Sequence, residues 1–222
     1  MRGIVALKVK PGSKRTFANA NFALLRIVTA SMWKAQQGIA GPPVSDATHS
    51  GYALAALRSL VFTPAGLKGV SCTPGDLKSA GLSYRAGADQ STLGTLVGTT
   101  TRECAGADGI RLTAIELVRY LAHLRRGRIV DPRDLARMDR SLLGWDEASN
   151  LGEGPDDDDL PERPLSRGVF WHEGHQTRTG GIHLQTCAMT FPDGTQASMI
   201  ANSPLADAGP CDVLLESWDA AR

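Results

Sequence analysis

The order of the predicted elements indicates an α+β fold, a mixed α/β class in which helices pack on an antiparallel sheet. Apolar residues recur at helix spacing up to about residue 138, whereas strand-like segments and a hairpin signal follow residue 167. Because helices and sheets each bury one apolar face, the helices are expected to cover the sheet. We therefore divide the single domain of residues 1–222 into a helical lobe, about 18–145, and a sheet with a last helix, about 167–222.

Two helices are predicted in the first third of the chain. The first spans about Ala20–Gln36, with Asn19 as its N-cap, and its inward face is expected to carry Phe22, Leu25, Val28 and Met32. The second spans about Gly51–Phe62, with Ser50 as its N-cap and with Leu54, Leu57 and Val61 on one face. Residues 63–110 are rich in Gly, Ser and Thr, which predicts loops with short helices.

The clearest helix is predicted at residues 113–126. Thr113 and Glu116 form a capping box, in which the side chains satisfy exposed backbone N–H groups of the first turn. Gly127 suits the left-handed conformation that ends many helices. The buried stripe is expected to consist of Leu117, Tyr120, Leu121 and Leu124. A further helix begins at Asp131-Pro132, a cap followed by proline, and continues to about Met138.

Strands are predicted in the last third, after a polar segment at 146–166 that is expected to be a solvated loop. The predicted strands are Gly168–Trp171, Leu184–Phe191 and Thr195–Ala201. The last two are joined at Asp193-Gly194, which is typical of a tight hairpin turn. An amphipathic helix from Pro210 to Ala221 follows, with Val213, Leu214 and Trp218 expected to point inward.

Composition and charge exclude several partner classes. The formal net charge is +1, so electrostatic capture of nucleic acid or of an anionic membrane is not expected. No apolar run approaches the roughly 20 residues that span a bilayer. The segment Met1–Gly12 lacks the pattern of an export signal, which, taken literally, predicts a cytoplasmic chain.

Cysteine and histidine patterns give no indication of a metal or cofactor. The four cysteines, Cys72, Cys104, Cys187 and Cys211, form no C-x-x-C pair, and the five histidines show no metal-ligand spacing. An even number of cysteines is compatible with two disulfides or with four buried thiols, and the sequence alone favours neither. We therefore expect no cofactor and no bound metal.

Five segments, in order along the chain, carry a resemblance to a known family. They are Thr16–Leu25, Ser59–Leu67, Gly106–Met138, Val169–Gly174, and Phe191–Gly194 with Ala201–Ser203. Together they resemble the β-lactamase-related serine hydrolases, which include class C-type β-lactamases, D-alanyl-D-alanine peptidases and related esterases. Thr16–Leu25 is similar to the second motif of that family, Tyr-x-Asn with its following helix. Val169–Gly174 is similar to the third motif, Lys-Thr-Gly or His-x-Gly, on the strand that lines the site.

The resemblance implies an incomplete β-lactamase/transpeptidase-like fold with a helical lobe. It also implies acyl-enzyme hydrolysis, in which a serine attacks a lactam, a D-peptide or an ester. The partner would be a small-molecule or peptidic acyl substrate. A full-length member of this family would be periplasmic or secreted, which also makes Cys187–Cys211 and Cys72–Cys104 candidate disulfides.

The family motifs assign roles to five positions. Phe17 stands where the family has a proton-relaying tyrosine and lacks the hydroxyl, whereas Asn19 matches the asparagine that holds the substrate amide. A plain helix N-cap explains Asn19 equally well. His172 and Gly174 match the third motif, with a small residue leaving room for substrate; His175 is the alternative match for substrate binding, and both histidines could simply belong to an exposed loop.

The nucleophile motif Ser-x-x-Lys is absent before Phe17. The one instance in the chain, Ser31 to Lys34, follows the second motif, so we interpret it as a coincidence. We expect a serine hydrolase that is inactive as this truncated chain; the alternative is a catalytically inactive family member that acts as a binding or interaction module. A different enzyme built on Ser31 and Lys34 or on the histidines is the weakest hypothesis. Exposed apolar faces, such as that of Phe22 and Leu25, further predict marginal stability or aggregation of the isolated chain.

Overall fold

The computed structural model describes residues 19–41, 45–73, 81–84, 94–96, 104–106, 109–146, 168–178, 182–205 and 208–222. Its helices are α1 (Asn19–Gln36), α2 (Asp46–Leu57), α3 (Ala114–Arg125), α4 (Pro132–Arg140) and α5 (Pro210–Ala220), and a π-helical turn, Arg58–Phe62, continues α2. Its strands are β1 (Leu82–Ser83), β2 (Thr95–Leu96), β3 (Phe170–Arg178), β4 (Ile182–Thr190) and β5 (Gln196–Ala201). The predicted α+β class with an antiparallel sheet is confirmed.

Three strands form the main sheet in the order β3-β4-β5, with antiparallel pairing throughout. The hairpin predicted at Asp193-Gly194 is present: the Gly194 N–H donates to the Phe191 carbonyl at 3.0 Å, and Gly194 has φ +86°. β3 is longer than the predicted Gly168–Trp171. Its polar half has no strand periodicity, but nine residue pairs with β4 hold it extended.

Helices cover both faces of this sheet. On one face α5 packs against a core of Val169, Cys187, Met189, Phe191, Cys211 and Leu215. On the other face α3 and α4 contribute Leu121, Leu124 and Leu135, which cluster with Trp145 and with the sheet residues Phe170 and Ala188. The sheet is therefore the middle layer between helices, as the burial of both of its faces requires.

Local signals at α3 and α4 predicted their boundaries correctly. The Thr113 hydroxyl accepts from the Glu116 N–H at 3.2 Å, and Glu116 Oε2 accepts from the Thr113 N–H at 2.8 Å, which completes the capping box. Gly127 adopts φ +67°, and Pro132 follows the Asp131 cap of α4.

Two compact units emerge from the fold, and they do not follow the predicted division at about residue 145. Among the described residues, the first unit takes those within Met1–Leu77 and Gly98–Arg111, and the second takes those within Lys78–Val97 and Leu112–Arg222. Helices α3 and α4 thus belong with the sheet rather than with a helical lobe. The reason is burial: the inward stripe of α3 packs onto β4 and β5.

The first unit corrects the predicted face of α1. Its buried residues are Arg26, Ala30 and Lys34, whereas the side chains of Leu25, Val28 and Met32 are 56%, 50% and 68% exposed. Because Arg26 Nη1 donates to Ser50 Oγ of α2 at 3.2 Å, a polar contact determines which side of α1 is buried. Leu25, expected on the inward face, is thus exposed, and aggregation of the isolated chain stays a prediction.

One predicted cap in this unit is also wrong. Ser45, not Ser50, caps α2: its hydroxyl accepts from the Thr48 N–H at 3.1 Å, and Ser50 lies buried within the helix. The N-cap role of Asn19 stays a prediction, because the residues before it lie outside the described part of the chain.

Disulfides join Cys72 to Cys104 in the first unit and Cys187 to Cys211 in the second. The second one ties the central strand β4 to the start of α5. Of the two alternatives that the sequence leaves open, the structure contains the disulfides.

Candidate functional site

Strand β3 carries the third-motif residues, and its alternation decides which of them lie together. His172 pairs with Ala188, and Ala188 pairs with Ser198, so these three form a row across the sheet. Ser198 Oγ donates to the Ala114 carbonyl of α3 at 2.6 Å, which places the row on the α3 face. Gly174 lies two residues further along β3 and therefore shares this face.

His175 lies on the opposite face of the sheet. Its neighbour in the alternation is Glu173, which pairs with Cys187, and Cys187 is bonded to Cys211 of α5. The two candidate histidines therefore cannot belong to one site on one face. The strand therefore carries two distinct candidate sites. One contains His172 and Gly174, and the other, on the opposite face, contains His175.

Asp146 lies against His172 and the edge of β3. Its backbone N–H donates to the Trp171 carbonyl at 2.9 Å, and its Oδ2 accepts from the Glu173 N–H at 2.5 Å. The same oxygen is 3.6 Å from His172 Nδ1, an ion-pair distance when the imidazole is protonated. Both side chains are about one-third exposed, whereas the His172 Nδ1 atom itself is buried.

A partly buried cation–aromatic cluster lies beside this edge. Arg125 of α3 is ion-paired to Asp139 at 2.6 Å, and its guanidinium lies 4.9 Å from the ring centre of Trp145 and 4.6 Å from that of Phe170. Trp145 Nε1 donates to Asp139 Oδ1 at 3.1 Å. Phe170 is on β3, two residues before His172, so the cluster fixes the segment before Asp146 against the strand.

Glu173 is the acidic group of the α5 face with an altered titration. Burial raises the pKa of its carboxyl above the usual value, and the Asp212 and Asp146 carboxylates raise it further. His175 and His172 act in the opposite direction. The carboxylate of Glu173 is thus less favourable in the folded chain than in water.

Gly174 has a structural reason to lack a side chain. A Cβ at this position would collide with Oγ1 of Thr186, its partner on β4. The space that the sequence assigns to substrate is, at this point, next to a threonine of the same sheet.

The remaining predicted residues lie in the first unit or outside the described residues. Phe17 is among the latter. Asn19 is exposed at the start of α1. Ser31 is exposed on α1, whereas Lys34, one turn later, is buried.

No group of three His, Cys, Asp or Glu residues in the described part of the chain could hold a metal ion. Over the same residues, no helix has the length and apolar character of a membrane span.

Asp146 and Arg125 are the residues that sequence reasoning missed. Asp146 opens the segment predicted as a solvated loop, and no spacing motif links it to a strand that follows much later in the chain. No local pattern indicates a role for Arg125, because its partners Trp145 and Phe170 are distant in sequence.

Comparison with known proteins gives a fold and no family. No protein-family model and no curated protein sequence matches the chain. D-amino acid amidase from Ochrobactrum anthropi SV3 matches in its complex with L-phenylalanine amide, with a TM-score of 0.54, 17% identity, and coverage of 97% of this chain and 60% of that chain. Its complex with D-phenylalanine matches with a TM-score of 0.50 and 18% identity, over 97% of this chain and 61% of that chain. The chain thus spans about 60% of the length of the amidase, and at these identities the likeness concerns the fold alone.

Proposed function

We propose that this chain carries the substrate-binding strand of a serine hydrolase of the penicillin-recognising superfamily and binds an acyl substrate without forming an acyl-enzyme by itself. The observation that carries this function is the fold match to a D-amino acid amidase, which belongs to that superfamily. The substrate class is an amide, lactam, D-peptide or ester whose carbonyl lies beside β3.

The face of β3 that bears His172 supports this assignment. His172 is half-buried between solvent and the α3 layer, and it is held on a paired strand beside the carboxylate of Asp146. An imidazole in such a place can donate a hydrogen bond to a substrate oxygen or accept one from a substrate N–H. Binding thus needs His172, whereas hydrolysis needs a nucleophile as well.

Ser31 is a poor candidate for that nucleophile. A serine needs an adjacent base to be activated, and here the serine is exposed while the lysine one turn later is buried. We therefore assign no nucleophile among the residues that the structure describes. The second candidate function, a binding module without catalysis, follows from the same observation.

Two measurements test this function together. Calorimetric titration with D-phenylalanine amide, and with its L-enantiomer, measures binding; mass spectrometry after exposure to a labelled penicillin and to an acylating esterase probe measures covalent attachment. We expect binding of an amide and no covalent adduct. Binding should be lost in His172→Ala and retained in Ser31→Ala. An adduct that disappears in Ser31→Ala would contradict the missing nucleophile, and failure of both amides to bind would contradict the substrate class.

We also propose an oxidising location, the periplasm or the exterior of the cell. Two disulfides in one chain of this size support it, because thiols are kept reduced in the cytosol. The protein is expressed in the periplasm and in the cytoplasm, alkylated and measured by mass spectrometry. Periplasmic protein should carry no alkylated cysteine, because all four cysteines form disulfides. Free thiols in periplasmic material would contradict the proposed location.

A further inference from the structure

Asp146 contacts the residues that precede and follow His172 on β3, which are Trp171 and Glu173. We propose that Asp146 is a positioning residue, which holds the His172 imidazole with Nδ1 toward the carboxylate and Nε2 toward the acyl substrate. The identity of the group that Nε2 contacts depends on the proposed function, whereas the orientation and proton position of the ring can be measured without any substrate.

Two backbone contacts fix Asp146 to the strand. Its N–H donates to the carbonyl of Trp171, and its Oδ2 accepts from the N–H of Glu173, at 2.9 and 2.5 Å. These two partners flank His172 directly. The carboxylate therefore cannot leave His172 Nδ1, 3.6 Å away, without breaking a contact to the strand. At that distance the interaction is electrostatic, and contacts of this kind often shorten when a ligand binds.

Trp145 holds Asp146 from the other side. Its side chain is 6% exposed, and its indole N–H donates to Asp139, which is in turn ion-paired to Arg125. Its ring lies 5.8 Å from that of Phe170 on β3. Helices α3 and α4 and strand β3 thus converge on the residue before Asp146, so the carboxylate is placed by three elements.

The chemistry follows from the acceptor-only nature of a carboxylate. A neutral imidazole has one donor nitrogen and one acceptor nitrogen, so a carboxylate beside Nδ1 favours the proton on Nδ1. Nε2 is then an acceptor for a substrate N–H. When the ring is protonated, Nε2 becomes a donor for a carbonyl oxygen. In both forms Nδ1 faces Asp146, so Nε2 is the nitrogen that we direct toward the substrate.

Long-range ¹H–¹⁵N NMR of the imidazole tests this directly, because a protonated and an unprotonated ring nitrogen have well-separated ¹⁵N shifts. The spectrum is recorded at about pH 8.5, above the usual range of histidine titration, and the His172 resonances are assigned by their loss in His172→Ala. We expect the proton on Nδ1 in the unmodified chain. Asp146→Ala should move the Nδ1 shift toward the unprotonated value, whereas Asp134→Ala, which removes an exposed carboxylate of α4, should not.

Each outcome decides the matter. A proton on Nε2 in the unmodified chain would overturn the assignment of Asp146 even if the variant failed to fold. An unchanged Nδ1 shift in folded Asp146→Ala would overturn it as well. If the NMR result is as expected but no amide binds, the proposed function fails and the positioning role stands. If an amide binds but the proton position on His172 does not depend on Asp146, the proposed function stands and the positioning role fails.

Discussion

Helices α1 and α3 each pack against the rest of their own unit, but α3 buries large apolar side chains, whereas α1 buries charged and small ones. α3 buries Leu121 and Leu124 and places them in a core with Trp145. α1 buries Arg26, Ala30 and Lys34 and leaves its apolar stripe in solvent. Burial of large apolar side chains is the main source of folding free energy, so α1 and α3 contribute to the stability of their units through different contacts.

The cores around these helices differ in the same way. One core cluster of the first unit consists of small residues, Ala30, Ala53, Cys72, Cys104 and Ala105, and the larger Phe62, Leu67 and Val70 are also buried in this unit. The core of the second unit contains leucines, methionine, phenylalanine and tryptophan. The comparison teaches that the packing around α1 depends on a disulfide and small residues, whereas the packing around α3 depends on large apolar side chains.

Removing the disulfides gives the largest expected difference. The Cys72–Cys104 bond spans 32 residues, and its loss in Cys72→Ala/Cys104→Ala should cost about 4 kcal/mol through the entropy of the unfolded chain. We expect the α1 and α2 amides to lose protection from hydrogen exchange. In Cys187→Ala/Cys211→Ala, the β3–β5 amides should stay protected, because the large apolar core remains. Equal loss of protection in both units would break the comparison.

Truncation of the α3 core should rank next. Leu121 is 1% exposed, so Leu121→Ala should lower the free energy of unfolding by about 3 kcal/mol through lost burial and a cavity. Ile115 on the same helix is 69% exposed, so Ile115→Ala should change the free energy of unfolding by less than about 0.5 kcal/mol. Urea unfolding monitored by circular dichroism measures both. Similar effects of the two substitutions would contradict the placement of α3 on the sheet.

Replacing Arg26 tests whether charge or volume matters in α1. Arg26→Ala removes the donor to Ser50 and the packed side-chain stem, and should cost about 2 kcal/mol. Arg26→Met keeps most of the volume and should cost less than about 1 kcal/mol, since an apolar residue of similar size often replaces a buried ion well. Urea unfolding of the two variants is the measurement. An equal loss in Arg26→Met and Arg26→Ala would show that the charge and its hydrogen bond, rather than the side-chain volume, are required.

The smallest expected effect concerns pH. The folded-state pKa of Glu173 is raised, so the folded chain binds a proton more readily than the unfolded chain. The stabilisation is complete below the ordinary pKa of a glutamate carboxyl, which the unfolded chain retains, and is lost as the pH rises through the higher folded-state pKa. Glu173→Gln should therefore flatten the fall in melting temperature as the pH rises above the ordinary pKa of a glutamate carboxyl. Glu216→Gln, on the exposed side of α5, is the matched control; an equal flattening there would contradict the origin in Glu173.

How much the sequence could predict depended on the range of the interactions. The capping box of α3 and the turn at Asp193-Gly194 are local, and both were predicted with the correct residues. The buried face of α1 was predicted wrongly, because the contact that selects it joins Arg26 to Ser50, 24 residues away.

The candidate site shows the same limit. His172 and Gly174 could be placed on one strand from motif spacing, and strand alternation then separates them from His175. Asp146 could not be found, because all of its described contacts with β3, to Trp171, Glu173 and His172, are tertiary. The roles of all these residues in substrate binding stay predictions.

Methyl NMR during titration with D-phenylalanine amide tests the central claim, that substrate binds on the His172 face of β3. The methyl groups of Ala188 and Thr186 report on that face, and those of Ala197 and Met199 report on the α5 face. We expect shifts at Ala188 and Thr186, lost in His172→Ala and kept in His175→Ala. Shifts confined to Ala197 and Met199, or a loss caused by His175→Ala alone, would contradict the account.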